Sequence, residues 1–261
     1  MIALAGMQFF GKRTCLIVGA VIVLGHNSLD PIWPTAGMTD AGTPLWVALH
    51  APMGMVVGPF QIFFVYPFVP WVGVMLLGFS AAGLFQLPPA QRNAQLFKIG
   101  CAMIAAFIVL RAFDVYGDPR PWHVNPDATM ATLISFINTT KYPPSLLYLL
   151  MTLGPAALFC ASADRMHGWI KNTLVMYGRV PFAFYVAHFY LAHCIGVAIG
   201  VYQGFTVTQM MTFFRFNPKG FGLNLLGVYL VWISVVVILY PFCRWVAAVK
   251  ARRSDWWLSY L

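Results

Sequence analysis

Long apolar runs separated by short polar loops restrict the fold of this chain more than any other feature. The runs approach the roughly 20 residues that a helix needs to cross a hydrocarbon core. They are Cys15–His26, Val69–Leu87, Leu96–Tyr116, Pro144–Cys160, Pro181–Val201 and Leu223–Cys243. Unpaired backbone groups are not tolerated in lipid, so such runs cross as helices. We therefore predict an all-α polytopic transmembrane helix bundle with about six crossings, formed by one domain over residues 1–261.

Two further apolar segments fit this pattern less well. Residues 1–10 would rise only about 15 Å as a helix, half of a hydrocarbon core, so we expect an N-terminal half-helix. Residues 44–66 are apolar, but Pro52, Gly54, Gly58 and Pro59 would break a helix repeatedly. We predict a re-entrant or interfacial segment there, which is tolerable where protein covers it or where it lines a cavity.

The charge distribution supports a membrane protein and excludes a nucleic-acid binder. Only 9% of residues are charged, against about 25% in soluble domains. The net charge of +9 comes from Lys and Arg residues in short loops and in the C-terminal tail. With the tail in the cytoplasm, eleven of these cations fall inside and five outside, the bias that sets membrane topology. The five cysteines sit singly in apolar segments, so we expect packing roles and no metal site.

The stretch Asn138–Ala156 combines a polar lip, two prolines and the start of an apolar helix. Pro143 and Pro144 suit the first turn of that helix. A helix N-terminus beside Lys141 could hold an anion. Lys141 could equally be an anchor at the membrane surface. Tyr142 follows it in the same lip.

Polar residues collect on the predicted outer side and form the candidate site. We expect substrate-binding roles for Asn27, His50, Arg111, Asp114, Asp118, Arg120, Trp122, Lys141 and Tyr142. Arg111 lies within the outer part of the bilayer, where a charge needs a partner or a cavity. It could pair with Asp114 one turn later, or bind a ligand carboxylate or phosphate.

Three residues are candidates for proton transfer. His26 and Asp30 would share a face if the helix continues through them, and the aspartate could then orient the imidazole. A helix-end cap is the simpler alternative. His188 lies about 10 Å inside its span, where an ionisable residue suggests function. Packing against Tyr185 is its alternative, and His193 should face away from it.

Six sequence segments together resemble one family over essentially the whole chain. They are GHNSLD (25–30), LHAPMG (49–54), YPFVPWVGVMLLGFSAAG (66–83), DVYGDPRPW (114–122), NTTKYPPSLLYLLMTLGPA (138–156) and YGRVPFAFYVAH (177–188). They are similar to bacterial membrane proteins related to the heparan-α-glucosaminide N-acetyltransferase catalytic domain, a group of transmembrane acyltransferases. The resemblance implies a bacterial inner-membrane protein that takes acetyl-CoA or another acyl-CoA as donor. It also implies a sugar amine or hydroxyl acceptor on the far side of the membrane, and no metal.

The sequence departs from this family at its start. Members begin with a motif of the type SLDxLRG, and the histidine credited with catalysis in the eukaryotic enzyme lies in that early region. This sequence lacks the motif, so no residue inherits that role. We expect a chain truncated at its N-terminus relative to the family. Two rival hypotheses are a non-catalytic subunit of a larger membrane assembly and a transporter of small molecules or lipid-linked sugars. Membrane lipids and possible protein subunits are the expected partners.

Overall fold

The computed structural model describes residues 2–32, 47–50, 53–57, 60–64, 66–126, 128–211, 218–253, 255, 256 and 258. These residues fall into two compact units, Met1–Arg165 and Met166–Leu261. Each unit is described by itself below. That both belong to a single domain stays a prediction.

The first unit consists of helices and one β-hairpin. Its elements are α1 (Ile2–Met7), α2 (Lys12–Gly25), β1 (Met53–Val57), β2 (Phe60–Phe64), α3 (Phe68–Ala81), α4 (Pro89–Phe113), α5 (Thr129–Ile137) and α6 (Leu146–Ser162). Short 3-10 turns extend several of the helices, at Gln8–Phe10, His26–Ile32, Ala82–Gln86 and Ala163–Arg165. The apolar core below the polar loops joins α2 to α6 through Val23, Leu146 and Leu149.

Glycines allow the helices of the first unit to pack closely in pairs. A Cβ atom on Gly19 of α2 would lie 3.0 Å from the Gly73 carbonyl oxygen of α3. A Cβ atom on Gly100 of α4 would lie 2.8 Å from the Gly154 carbonyl oxygen of α6. Small residues let helix backbones approach in this way where lipid provides no hydrophobic drive for association. Two close helix pairs, α2–α3 and α4–α6, therefore form the frame of this unit.

The second unit contains α7 (Gly168–Arg179), α8 (Pro181–Tyr202), α9 (Val207–Met210) and α10 (Leu225–Arg252). Helices α8 and α10 pack through a core of Ala183, Val235, Leu239 and Cys243. Helix α7 is tied to α10 by Tyr177, whose hydroxyl donates to the Val236 carbonyl, 2.6 Å away. The basic tail predicted after Cys243 continues the last helix to Arg252.

The prediction of an all-α polytopic membrane bundle is confirmed. Among the described residues, five helical stretches are long and apolar enough to cross a membrane. They are Phe68–Gln86, Pro89–Phe113, Leu146–Arg165, Pro181–Tyr202 and Leu225–Arg252. The sixth predicted crossing corresponds to α2, whose 14 residues rise about 21 Å, less than a ~30 Å hydrocarbon core. A crossing by α2 stays a prediction, whereas the predicted half-helix at the N-terminus is present as α1 and its 3-10 turn.

The segment predicted to be re-entrant or interfacial contains the one pair of β-strands in the described part of the chain. Strands β1 and β2 pair antiparallel, with Met53 opposite Phe64 and Val57 opposite Phe60. Pro52, Gly58 and Pro59, three of the residues that motivated the prediction, lie outside the described residues. A two-stranded hairpin has outer edges whose backbone groups lipid could not satisfy. Strands β1 and β2 are therefore not a membrane crossing.

Candidate functional site

The N-terminus of α6 is held by residues from three loops. Leu146 N–H donates to Asn27 Oδ1 at 2.9 Å, and Leu147 N–H donates to the Gly117 carbonyl at 2.9 Å. Tyr148 N–H donates to Ser145 Oγ at 3.0 Å, so Ser145 is the N-cap. The first-turn donors are thus all used.

The predicted anion site at this helix N-terminus is therefore wrong. An anion site needs free N–H groups, and the first turn offers none. The helix also begins two residues later than expected, so Pro143 and Pro144 lie in the preceding turn. The proposed role of Asn27 is corrected as well, because its amide bridges α6 and Asp30 inside the protein.

Asp118 fixes the loop that leads into α6. Its Oδ1 accepts from Arg120 N–H and from Thr140 Oγ1, both at 2.9 Å. Its Oδ2 accepts from Thr140 N–H and from Ser145 Oγ, both at 2.6 Å. A carboxylate has about four lone-pair positions, and all are occupied. Asp118 therefore joins the GDPR and NTTKYPPS segments rather than binding a ligand.

Arg111 is fully buried, at 0% exposure, and every one of its N–H groups has an acceptor. Nε donates to the Phe136 carbonyl at 2.9 Å. Nη2 donates to the carbonyls of Ser135 and Asn138, at 3.2 and 3.1 Å. The positive charge of Arg111 thus lies at the C-terminal carbonyl groups of α5, where it interacts favourably with the partial negative charge of the helix end.

The second terminal nitrogen of Arg111 completes the set. Nη1 donates to the Arg120 carbonyl at 2.8 Å and to Asp114 Oδ1 at 3.4 Å. The predicted Arg111–Asp114 pair is therefore present, although its distance is long. Because a guanidinium has five N–H donors, none remains for a carboxylate or phosphate ligand. Arg111 anchors α5 and the loop after α4.

The remaining predicted binding residues lie around this anchored loop. The ring of Trp122 packs edge-on against Phe136, with centroids 5.3 Å apart. Arg120 contributes its backbone to Asp118 and Arg111, and its side chain is exposed. Asp114 ends α4 in the left-handed conformation, with φ of 51°. Of these residues, Arg120 is the one whose charged side chain is available to a ligand.

Exposed Lys141 and half-buried Tyr142 form a cationic and aromatic patch. The ammonium of Lys141 lies 5.2 Å from the centroid of the Tyr142 ring. The Tyr142 hydroxyl donates to the hydroxyl of Tyr66 at 3.3 Å, and this bond lowers the pKa of Tyr142. A side-chain hydrogen bond with Tyr142 raises the pKa of Lys141. Sequence reasoning missed Tyr66, because residues 76 positions apart meet only through the fold.

The structure brings together His26, His50, Asp30 and Asn27, but with different partners than expected. Asp30 Oδ1 lies 3.1 Å from His50 Nε2, and Asp30 Oδ2 accepts from Asn27 Nδ2 at 2.8 Å. The prediction that Asp30 orients His26 is wrong. Residues 26–32 form a 3-10 turn, in which residues four apart do not share a face. Asp30 instead orients His50, twenty residues later.

His26 is buried beside this pair without completing a hydrogen bond of its own. It is 3% exposed, and its ring meets the His50 ring edge-on, with centroids 5.6 Å apart. Neither ring nitrogen of His26 forms a hydrogen bond of standard geometry with the described residues, although the Pro144 carbonyl lies close enough to raise its pKa. An unsatisfied buried polar group costs about 1–3 kcal/mol, so an imidazole left in this state points to a ligand or water at the site.

The surroundings keep His26 neutral. Burial, and after it the neighbouring His50, lower the pKa of His26 from 6.5 to about 4. Asp30 and the nearby Pro144 carbonyl act in the opposite direction and only partly offset this. The site therefore combines a carboxylate-bound imidazole with a second imidazole that is uncharged at neutral pH.

We expect acid to destabilise the protein through His26. The unfolded chain takes up this proton near pH 6.5, whereas the folded chain takes it up near pH 4. The contribution of neutral His26 to the free energy of unfolding is therefore fully present above about pH 6.5. It is lost as the pH falls to about 4, which lowers the free energy of unfolding by roughly 3 kcal/mol. Thermal unfolding of the purified protein between pH 4 and 8 should show this slope. The slope should be smaller in His26→Leu and unchanged in His123→Leu, whose side chain is exposed; equal slopes in all three would contradict the assignment.

His188 belongs to the second unit and has a local partner. Its Nδ1 lies 3.2 Å from the Phe184 carbonyl, and its ring stacks on the Phe184 ring at 5.3 Å. The ring of Tyr185 contacts it at 5.4 Å without a hydroxyl bond. His188 and His193 both line one cavity of about 250 Å³, and the expectation that His193 faces away from His188 stays a prediction.

The described residues contain no group of three or more His, Cys, Asp or Glu side chains placed to hold a metal ion. Sequence reasoning also missed Thr140 and Ser145, although a serine directly before an apolar helix is an N-cap signal. We therefore take His26, His50 and Asp30 as the candidate site.

Comparisons with protein-family models, with curated proteins and with solved structures give no significant match to this integral membrane chain.

Proposed function

We propose that this multi-pass membrane protein transfers an acyl group from an acyl-CoA thioester to an amine or hydroxyl of a sugar acceptor. The observation that carries the proposal is the buried His50–Asp30 pair beside the neutral, unsatisfied His26. An imidazole oriented by a carboxylate is a general base of the kind that acyl transfer uses. The resemblance of the sequence to transmembrane acyltransferases supports the same reaction class.

In this proposal His50 is the base. Its Nε2–H donates to Asp30, so the lone pair lies on Nδ1. The acceptor nitrogen or oxygen attacks the thioester carbonyl, forming the new C–N or C–O bond and giving its proton to Nδ1. The C–S bond then breaks, and the departing thiolate receives that proton to leave as free CoA. No further reactant is needed.

His26 would serve as a hydrogen-bond donor in the same step. With a pKa of about 4, its ring keeps one N–H and no charge at neutral pH. A neutral imidazole can polarise a carbonyl and stabilise the oxyanion that develops on it. This role accounts for a buried ring whose nitrogens have no partner among the described residues. The two histidines would thus divide the work of base and electrophile.

The surrounding side chains suggest where the acceptor would bind. Arg120 and Lys141 are exposed and Tyr142 is half-buried, and such cationic and aromatic groups bind sugar hydroxyls and rings. The excess of cations in the loops predicted to lie on the other side supports a site outside and a C-terminus in the cytoplasm of a bacterial inner membrane. Acyl-CoA would then be supplied from the cytoplasmic side.

The test is transfer by the purified protein, measured as release of the CoA thiol from acetyl-CoA with glucosamine as acceptor. We expect His50→Gln to lower turnover about a hundredfold or more, since a general base contributes that much. His26→Gln should lower it as well, and Asp30→Asn should shift the pH–rate profile. His123→Gln is the matched control and should keep full activity. Equal turnover in all variants would overturn the proposal.

A non-catalytic membrane subunit is the second candidate function, and one observation favours it. Arg111, Asp118 and Asn27 are committed to internal hydrogen bonds, so much of the polar cluster stabilises the fold. A protein without turnover that copurifies with defined membrane subunits would support this function. Turnover that depends on His50 would exclude it.

A further inference from the structure

A second feature lies at the opposite end of the α4–α6 helix pair from the histidine site. The two helices touch closely at Gly100 and Gly154. Beyond this contact, towards the N-terminus of α4 and the C-terminus of α6, they enclose an open cleft of about 690 Å³. Lys98, on the border of the cleft, is 13 residues or about 20 Å from Arg111 along α4. The cleft is therefore separate from the candidate active site.

Small and apolar side chains line the interior of the cleft, and cationic side chains lie at its border. Ala94 and Ala161 leave the space between the helices open, and Phe97 and Leu158 form apolar walls. Lys98 and Arg165 also line the cleft, and because both residues are exposed they form its border. An apolar slot beside two cations is complementary to an amphiphile with an anionic head.

The charges at this end are not balanced within the described part of the protein. Asp164, the nearby acid, is bound by Arg92 and by Asn93 Nδ2, the latter at 2.9 Å. The ion pairs among the described residues include neither Lys98 nor Arg165. Within the described residues, two positive charges at the border of the cleft thus have no ion-pair partner.

The position of the cleft matches the headgroup level of a membrane. Both helices are apolar enough to cross a bilayer, and the cleft lies where these crossings end. The side chain of Lys98 leans towards the N-terminus of α4, since side chains on a helix point that way, and its long stem lets the ammonium reach the interface. Basic clefts between membrane helices at this level bind anionic headgroups.

We propose that this cleft binds one anionic phospholipid molecule. Lys98 and Arg165 contact its phosphate, and an acyl chain lies against Phe97 and Leu158. The site is independent of the proposed acyl transfer, because it shares no residue with the histidine cluster. A free phosphate could satisfy the two cations but would leave the apolar slot empty, so the two sources can be separated by experiment.

The test is native mass spectrometry of the full chain, purified in detergent and titrated with phosphatidylglycerol or with phosphatidylcholine. We expect preferential binding of one phosphatidylglycerol molecule. The double variant Lys98→Gln, Arg165→Gln should weaken this binding by about fivefold for each lost charge, the usual contribution of a basic residue near an anionic membrane surface. The double variant Lys12→Gln, Arg13→Gln loses the same charge elsewhere and should bind as the unmodified protein does.

Two further measurements keep the proposal testable if the charge variant folds poorly. Ala161→Phe fills the slot without changing any charge, and it should abolish binding of the lipid. Thermal unfolding of this variant shows whether it is folded. Inorganic phosphate should not displace the lipid at millimolar concentration. Equal binding of both lipids, equal binding by all variants, or displacement by phosphate alone would overturn the proposal.

Discussion

Replacing Arg111 with alanine is expected to destabilise the first unit by about 4 kcal/mol or more, because removing one partner of a buried charged network leaves the others unsatisfied. The variant would leave the carbonyls of Phe136, Asn138 and Arg120 without the Arg111 donor, and the Ser135 carbonyl would keep only its bond from the Asn138 N–H. Helix α5 should then detach from the end of α4. Thermal unfolding of the purified protein, or the yield of folded protein from membranes, measures the effect.

Arg120→Ala is the matched control for this prediction. It removes the same charge a few residues away, but Arg120 gives the network only its backbone carbonyl, so the unfolding temperature should change little. If Arg111→Ala and Arg120→Ala unfold at the same temperature, Arg111 does not anchor α5 and its role as a ligand-binding residue becomes the better explanation.

Asp118→Asn is expected to cost about 3 kcal/mol, although it changes the shape of the side chain hardly at all. The carboxylate accepts from the backbone and hydroxyl of Thr140, from Ser145 Oγ and from Arg120 N–H. In asparagine, an NH2 group replaces one carboxylate oxygen and cannot accept the hydrogen bonds that this oxygen accepts. Hydrogen bonds to a charged acceptor contribute about 1.5–3 kcal/mol each. Faster hydrogen exchange at the start of α6, together with a lower unfolding temperature, would be the readout.

The same substitution at Asp114 serves as the comparison. Asp114 makes one long contact, at 3.4 Å to Arg111, and asparagine tolerates its left-handed backbone conformation. We expect Asp114→Asn to cost under about 1 kcal/mol. Similar losses at both positions would show that Asp118 is not the residue that holds the loop to α6.

The hydrogen-bond networks of Arg111 and Asp118 show why these two residues were predicted to bind a ligand although they stabilise the fold. A buried arginine in a membrane segment needs acceptors, and the sequence suggested Asp114 as one of them. The backbone carbonyls of α5, 24 to 27 residues later, could not be identified from the sequence, because carbonyls are the same in every residue. The same holds for Asp118, whose partners lie 22 and 27 residues away.

The histidine site shows the limit of periodicity as a guide. The spacing of His26 and Asp30 predicts a shared face only in an α-helix. The chain leaves the α conformation at His26. As a result, Asp30 contacts His50 instead of His26. Site roles for His26, Asp30 and His50 were each predicted, whereas the pairing of Asp30 with His50 depended on a turn of 3-10 geometry.

The sequence by itself determined that this is a polytopic helical membrane protein and, within a few residues, where most of its spans lie. The physical reason is that lipid requires backbone groups to be satisfied within each segment, so apolar length alone predicts a helix. Only the tertiary structure decided which polar groups meet. It assigned Arg111, Asp118 and Asn27 to the stability of the fold and placed His26 beside the His50–Asp30 pair, since hydrogen bonds between loops depend on distances that sequence separation does not encode.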